Sequence, residues 1–256
     1  MKIGYVQFAP AFGDVEANMR HIEALLDGCG EADLLVLPEL ASTGYRFESR
    51  DEALQLSQPD DGGFVQFLVD QCRKNDFHLV AGFNEREGDL LFNSSVLAGP
   101  GGVVGKFRKL HLFIDEKDIF EPGNLGLPVY DIGHCQVGML VCFDWVFPEA
   151  WRMLALAGAQ VICHPSNLVL PYAQQAVPVH AMVNRVFAIT CNRTGAEKDL
   201  EFTGQSIISD TRGQVLSRAA DGEEAVAIVE IDVREADDKQ ITPRNDVFGD
   251  RRTDVY

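Results

Sequence analysis

Gln136-Val137-Gly138-Met139-Leu140-Val141-Cys142-Phe143-Asp144-Trp145-Val146-Phe147-Pro148-Glu149 is the stretch that decides the fold. Its first half is an apolar run of strand length, and its second half is a turn that leads into a helix from Pro148 to Ala157. Strand-to-helix handover is the unit of an α/β protein, and the residue at the handover, Cys142, stands at the sheet edge where ligands of such proteins bind. A nucleophile placed there has access to substrate from one side and a buried strand behind it.

Working outward, strand-like and helical runs alternate. Upstream, Val15 to Leu26 carries apolar residues at helical spacing, and Asp33-Leu34-Leu35-Val36-Leu37 is a short apolar strand that ends at Pro38-Glu39, which together make a βαβ opening. Phe64 to Cys72 predicts another amphipathic helix. Strands are expected over Phe77 to Phe83, Leu90 to Ala98 and Val103 to Phe107, with turns at Arg86-Glu87-Gly88-Asp89 and Gly99-Pro100-Gly101-Gly102. Periodicity disappears from Leu110 to Leu127, which reads as a long loop, a kind of segment that often carries function. Downstream of Cys142, a strand at Gln160 to Cys163, a helix near Val179 to Val186 and a strand at Phe187 to Cys191 are expected, followed by hairpin strands over Gly204 to Ile231 that turn at Asp210-Thr211-Arg212-Gly213. Helices on one side only of each strand set, plus two hairpin regions, imply an α/β fold of four layers, an α-β-β-α sandwich. Periodicity alone leaves a three-layer sandwich open.

Composition bounds the function. The 256 residues, 46% of them hydrophobic, suffice for one large domain, with no repeat or linker visible. Asp and Glu outnumber Lys and Arg by 39 to 22, a net charge of -17 that argues against a nucleic-acid partner. The opening Met1-Lys2-Ile3-Gly4-Tyr5-Val6-Gln7-Phe8 reads as a strand, not a signal peptide, and no apolar run approaches the length of a membrane span. Six cysteines (Cys29, Cys72, Cys135, Cys142, Cys163, Cys191) without a C-x-x-C pair suggest neither a disulfide framework nor a zinc site, so the expectation is a reduced, cytoplasmic protein without a metal.

A cysteine nucleophile needs a base, a positive charge or donors where negative charge develops, and exclusion of water. Glu39 after a buried strand, Lys109 after the strand through Phe107, and Glu116 in the irregular loop stand at comparable element ends. Each has a plainer reading. A lone cysteine is usually a small buried hydrophobe, Glu39 suits a helix start, Lys109 a solvated strand end, and Asp115-Glu116-Lys117-Asp118 a solvated charge run. Only the constellation turns them into a site.

Several separated stretches, in order, resemble the signatures of the nitrilase superfamily of carbon-nitrogen hydrolases: Leu37-Pro38-Glu39-Leu40 with Thr43-Gly44-Tyr45; Gly105-Lys106-Phe107-Arg108-Lys109-Leu110-His111-Leu112-Phe113; and Val141-Cys142-Phe143-Asp144-Trp145-Val146-Phe147-Pro148-Glu149. Glu116 with Phe120 and Pro122-Gly123, His164-Pro165-Ser166-Asn167-Leu168, Asn184-Arg185 and Asn192-Arg193-Thr194-Gly195 extend the likeness over nearly the whole chain.

The resemblance implies a Glu39-Lys109-Cys142 triad with Glu116 as a second glutamate, and no cofactor. In it Glu39 takes the thiol proton, passes a proton to departing ammonia and activates water. Lys109 and the backbone N–H of Phe143 stabilise the oxyanion, and Glu116 holds Lys109 and docks the amide nitrogen. The expected activity is hydrolysis of a small aliphatic amide through a thioester, with a nitrile or an N-carbamoyl compound as alternatives. Phe143-Asp144 resembles the amidase and carbamoyl-amide branches, although some nitrile-active enzymes share Cys-Phe-Asp-Trp, and a non-catalytic binding protein of the same fold is the reading from another class. Tyr45, Trp145, Phe143, Asn167 and Tyr172 are candidate pocket residues, and apolar Phe113, Ile114, Leu168, Val169 and Leu170 point to a small aliphatic substrate. His164 and His111 are weighed as bases, since Cys-His hydrolases use one, but His164-Pro165-Ser166-Asn167 resembles a structural strand-to-loop motif. The helices at Phe147 to Ala157 and Val179 to Val186 and the tail from Asn245 to Tyr256 resemble dimer-forming elements, so a homodimer or higher homo-oligomer is expected.

Overall fold

The computed structural model describes residues 1–255; Tyr256, the last residue of the expected tail, lies outside them. In chain order the first part runs β1 (Lys2–Gln7), α1 (Val15–Leu26), β2 (Leu34–Val36), α2 (Arg50–Gln55), α3 (Gly63–Asn75), β3 (His78–Glu87), β4 (Leu90–Gly99) and β5 (Gly102–Arg108). The second runs α4 (Glu116–Ile119), β6 (Val129–Asp131), β7 (Gln136–Met139), a 3-10 turn (Cys142–Val146), α5 (Pro148–Leu156), β8 (Val161–Ser166), α6 (Ala173–Asn184) and β9 (Phe187–Asn192). Strands β10 (Ala196–Glu197), β11 (Leu200–Glu201), β12 (Ile207–Ser209), β13 (Val215–Arg218) and β14 (Ala225–Glu230) follow, then a short 3-10 turn, β15 (Gln240–Thr242) and β16 (Asn245–Asp246).

The strands form two large sheets, ordered β14-β1-β2-β3-β4-β5 and β13-β12-β9-β8-β7-β6. Each has a parallel centre, β1-β2-β3 in one and β7-β8-β9 in the other, flanked by antiparallel strands. Strand alternation explains how they stack. In β1, Ile3 and Tyr5 enter the core cluster shared with the second sheet, whereas Val6 packs with Ile22 and Leu26 of α1 and with Phe64, Leu68 and Val69 of α3. In β7 the intervening Gly138 faces α5, where an added Cβ would lie 3.0 Å from Leu154, and Met139 faces the other sheet, its sulfur 3.6 Å from the Ser95 hydroxyl. Helix, sheet, sheet and helix therefore stack as four layers, which removes the three-layer alternative.

Four elements depart from the sequence expectation. Helix α6 begins at Ala173, well before Val179, and carries Pro178 inside it; a proline in that place breaks an apolar helical pattern, so only the C-terminal half was legible. Val186 lies beyond its end, after Arg185 in a left-handed C-cap. Gly204 to Ile231 is not one set of hairpin strands: β12 and β13 pair around the Asp210–Gly213 turn, but β14 crosses to the first sheet and pairs antiparallel with β1. The loop from Leu110 to Leu127 contains a one-turn helix, α4, and buries Glu116, so the acidic run there is not a solvated face throughout. Helix α2, capped by the Ser49 hydroxyl, lies between Tyr45 and Asp61, where the sequence reading expected no element.

The described part of the tail folds back on its own chain, with the Arg152 guanidinium 5.2 Å and the Lys239 ammonium 4.9 Å from the Phe248 ring centre. No helix among the described residues is long and apolar enough to cross a membrane.

Candidate active site

Two of the key residues stand at equivalent places in the two sheets. Glu39 lies three positions beyond the end of parallel strand β2 and Cys142 three beyond parallel strand β7, the sheet edge at which α/β proteins bind ligands. Lys109 directly follows β5, and Glu116 opens α4. All four are buried.

Lys109 joins the two glutamates. Its Nζ donates to Glu39 Oε1 and to Glu116 Oε1, each at 2.7 Å. Burial opposes a charge on Lys109, but the carboxylates of Glu116 and Glu39 hold its ammonium well above the ordinary lysine range, so it stays cationic. Glu39 Oε1 also accepts from Asn93 Nδ2 at 2.7 Å, whereas Glu39 Oε2 is buried and has no hydrogen-bond partner among the described residues. Glu116 Oε1 accepts from the Tyr45 hydroxyl at 2.7 Å and Oε2 from the Phe113 N–H at 3.3 Å; burial raises this carboxyl above its usual range against the pull of Lys109. The Cys142 thiol is pushed well above its ordinary range by burial and by Glu39, with Lys109 opposing. It is therefore a protonated thiol at neutral pH, and it needs a base to become a nucleophile.

The backbone at both ends of the pair is held in unusual conformations. Cys142 has φ 44° and Leu40, next to Glu39, φ 48°, left-handed values that cost a non-glycine residue about 1–3 kcal/mol and persist only where the surroundings impose them. At Cys142 the clamp is Asp144: its Oδ2 accepts the Val141 N–H at 3.0 Å, and its Oδ1 accepts the His111 N–H at 3.0 Å and contacts His111 Nδ1 at 2.7 Å. The turn at Leu40 is tied to Gly82, whose N–H donates to the Pro38 carbonyl at 3.0 Å and whose carbonyl accepts the Ala41 N–H at 2.9 Å; a Cβ on Gly82 would lie 2.4 Å from the Leu40 nitrogen and 2.5 Å from the Glu39 Cα. The β3 backbone can approach the Glu39 turn this closely only without a side chain.

Neither histidine is arranged as a base. His164 is buried, its Nε2 lies 2.8 Å from the Cys142 carbonyl oxygen, and burial lowers its pKa to about 4, so the neutral ring donates to that carbonyl and holds the turn. His111 is tied to Asp144 and stacks on Phe147 at 3.4 Å between ring centres.

A cavity of about 40 Å³ opens on Cys142, walled by Phe113, Phe143, Trp145, Asn167, Leu168, Val169 and Leu170. A second, of about 170 Å³, shares Phe113 and Val169 and reaches Tyr45 and Glu116. Phe143, Trp145 and Asn167 line the first cavity and Tyr45 the second, and Asn167 in addition donates from Nδ2 to the Glu39 carbonyl at 2.9 Å. Tyr172 does not line the Cys142 cavity; it precedes α6 and is 56% exposed. No group of three or more His, Cys, Asp or Glu among the described residues is spaced to hold a metal ion.

Sequence reasoning passed over Asn93. The signal was present in Asn93-Ser94-Ser95, a polar run inside an otherwise apolar strand, which a buried strand tolerates only when those groups are bonded. Besides the bond from its Nδ2 to Glu39, Asn93 accepts the backbone N–H of Lys109 at its carbonyl at 2.8 Å, so one residue ties the Glu39 carboxylate to the Lys109 backbone.

A protonated thiol beside a carboxylate with a spare oxygen, and a fixed ammonium, is the equipment of a cysteine-dependent hydrolase. Comparison with known proteins narrows the class: the chain belongs to the carbon-nitrogen hydrolase family, whose profile matches residues 2–239. A nitrilase from Pyrococcus abyssi is 45% identical over 259 residues, covering 100% of this chain and 99% of the relative. An (R)-stereoselective amidase from Pseudomonas sp. is 36% identical over 238 residues, covering 91% and 85%. Among solved structures, a variant of the amidase from Nesterenkonia sp. AN1, bearing the product of Michael addition of acrylamide at its active-site cysteine, matches with a TM-score of 0.83 at 26% identity and covers 100% of this chain and 98% of that one.

Proposed function

We propose that the protein hydrolyses small aliphatic amides to carboxylic acid and ammonia, with Cys142 as nucleophile, Glu39 as proton shuttle, and Lys109 and Glu116 as electrostatic and docking partners. The observation that carries this is the Glu39–Lys109–Glu116 bridge at 2.7 Å on each side, with Glu39 Oε2 free of partners among the described residues beside a thiol whose proton it must take. Cys142 Sγ attacks the amide carbon as its proton passes to Glu39. Lys109 and the Phe143 N–H stabilise the oxyanion, and Glu39 returns the proton to nitrogen as the C–N bond breaks and ammonia leaves. Water then adds to the thioester with its proton going to Glu39, the C–S bond breaks, and Glu39 reprotonates the thiol. Glu116 accepts from the amide N–H₂ of the substrate. The apolar walls and the small volume of the cavity at Cys142 favour a short aliphatic chain.

A nitrile is the second reading, favoured by the 45% identity to a protein named nitrilase. Sγ would add to the nitrile carbon to give a thioimidate, and addition of water with loss of ammonia would give the same thioester. Ammonia release from matched amides, nitriles and N-carbamoyl compounds, with Cys142→Ala as control, separates these readings. Amide turnover lost in the variant is the expected result, and turnover that survives it contradicts the proposal. Fast alkylation of Cys142 with no turnover on any panel member would favour a binding role.

We also propose that the chain acts as a single catalytic domain and pairs with a second copy through α5, α6 and the tail. Met153 (58% exposed) and Val179 (51%) leave apolar surface there in the isolated chain.

A further inference from the structure

We infer that Glu197 and Arg193, remote in sequence from the four central residues, form a buried clamp that fixes Tyr45 and through it sets the orientation of the Glu116 carboxylate. Glu197 is only 6% exposed. Its Oε1 accepts the N–H of Tyr45 at 2.8 Å and of Arg46 at 2.5 Å, and its Oε2 accepts from Arg193 Nη1 at 2.5 Å. Arg193, 1% exposed, lies over the Phe202 ring at 4.1 Å, and Phe202 meets the Tyr45 ring edge-on at 6.0 Å. The backbone and the ring of Tyr45 are thus held from two directions by one ion pair. The approach is tight enough to exclude a side chain at residue 44: a Cβ on Gly44, which has φ 78°, would lie 2.5 Å from Glu197 Oε2.

The consequence falls on Glu116. Its Oε1 accepts both from Lys109 Nζ and from the Tyr45 hydroxyl, at 2.7 Å each, which leaves Oε2, touched by the Phe113 N–H at 3.3 Å, as the oxygen with capacity for the substrate amide. A tyrosine free to rotate would release Oε1, and the carboxylate would turn. Glu197 and Arg193 touch neither thiol nor substrate; they are positioning residues. This inference rests on the proposed role of Glu116 in docking the amide.

The test is a double-variant cycle on kcat/KM for a small amide, with Glu197→Gln, Tyr45→Phe and both together. Glutamine cannot replace the carboxylate: its NH₂ must face either the two backbone N–H donors or Arg193. The expected result is a loss of about 10- to 100-fold for each single variant and no further loss beyond about twofold for the pair. Modification of Cys142 by methyl methanethiosulfonate, which has no amide to dock, should stay within about twofold of the parent. Losses that multiply in the pair, or a Glu197→Gln variant within twofold of the parent, would overturn the clamp while leaving the cysteine mechanism standing. Turnover that survives Cys142→Ala would instead remove the mechanism itself. If Glu197→Gln fails to fold because Arg193 is left with a buried unpaired charge, the apolar pair Arg193→Met/Glu197→Leu removes both charges, and the same cycle with Tyr45→Phe carries the same two outcomes.

Discussion

At the residue scale, each oxygen of the Glu39 and Glu116 carboxylates has a different set of partners. Glu39 Oε1 is saturated by Lys109 and Asn93, so only Oε2 is available to the thiol. Asn93→Ala should therefore lower kcat/KM by about 100-fold, the order seen when one preorganised donor is lost, with thermal stability reduced far less than activity; kinetics and a melting curve check it, and an activity within threefold of the parent would contradict it. Cys142, Glu39 and Lys109 were legible because each is a polar residue at the end of an apolar run. Asn93 was not, because its partner is on another strand and strand alternation says nothing about cross-strand bonds to side chains. His164 makes a separate prediction. Its pKa falls from the ordinary 6.5 to about 4 in the folded protein because the ring is buried. Above pH 6.5 both states are neutral; between 6.5 and 4 only the unfolded chain gains the proton, so stability is lost as pH falls through that window, by about 3 kcal/mol in full. Urea unfolding at pH 7, 6 and 5 should show a steeper decline for the parent than for His164→Asn, and identical slopes would contradict it.

At the element scale, the site depends on strand ends that meet closely. The turn after β2 lies on the β3 backbone at Gly82, and the turn after β7 is gripped by Asp144. Gly82→Ala should displace Glu39 and abolish most activity while also lowering the melting temperature, since the intruding Cβ meets backbone that cannot swing away. Retention of half or more of the activity would show that the turn has slack. Helices α1 and α3 were readable from their apolar periodicity, and α5 from the pattern after Pro148. The front half of α6 was hidden by Pro178, and the burial of Glu116 by its charged neighbours, which remain at the surface while it alone turns inward. The choice of sheet for β14 could not be read, because its alternation fits either sheet equally and only pairing with β1 decides it.

At the scale of the whole molecule, two sheets with parallel centres face each other so that the ends of β2 and β7 bring Glu39 and Cys142 together across the sandwich. That architecture was legible in outline from one-sided helices and hairpin regions, and the two-sheet core settled the number of layers. The outer helices of the second sheet keep an apolar stripe that includes Met153, Val179 and Met182. Sedimentation at micromolar concentration should give a dimer or larger assembly, and Met153→Asp/Val179→Asp should shift it toward monomer. A parent protein that sediments only as monomer would contradict the proposed pairing.

In the proposed reaction Cys142 carries the acyl group. Mass spectrometry of the protein quenched during turnover of a slow amide tests it most directly: the account predicts one acyl adduct, mapped to the peptide containing Cys142 and absent from Cys142→Ala. An adduct on another cysteine, or amide turnover that persists in Cys142→Ala, would contradict it.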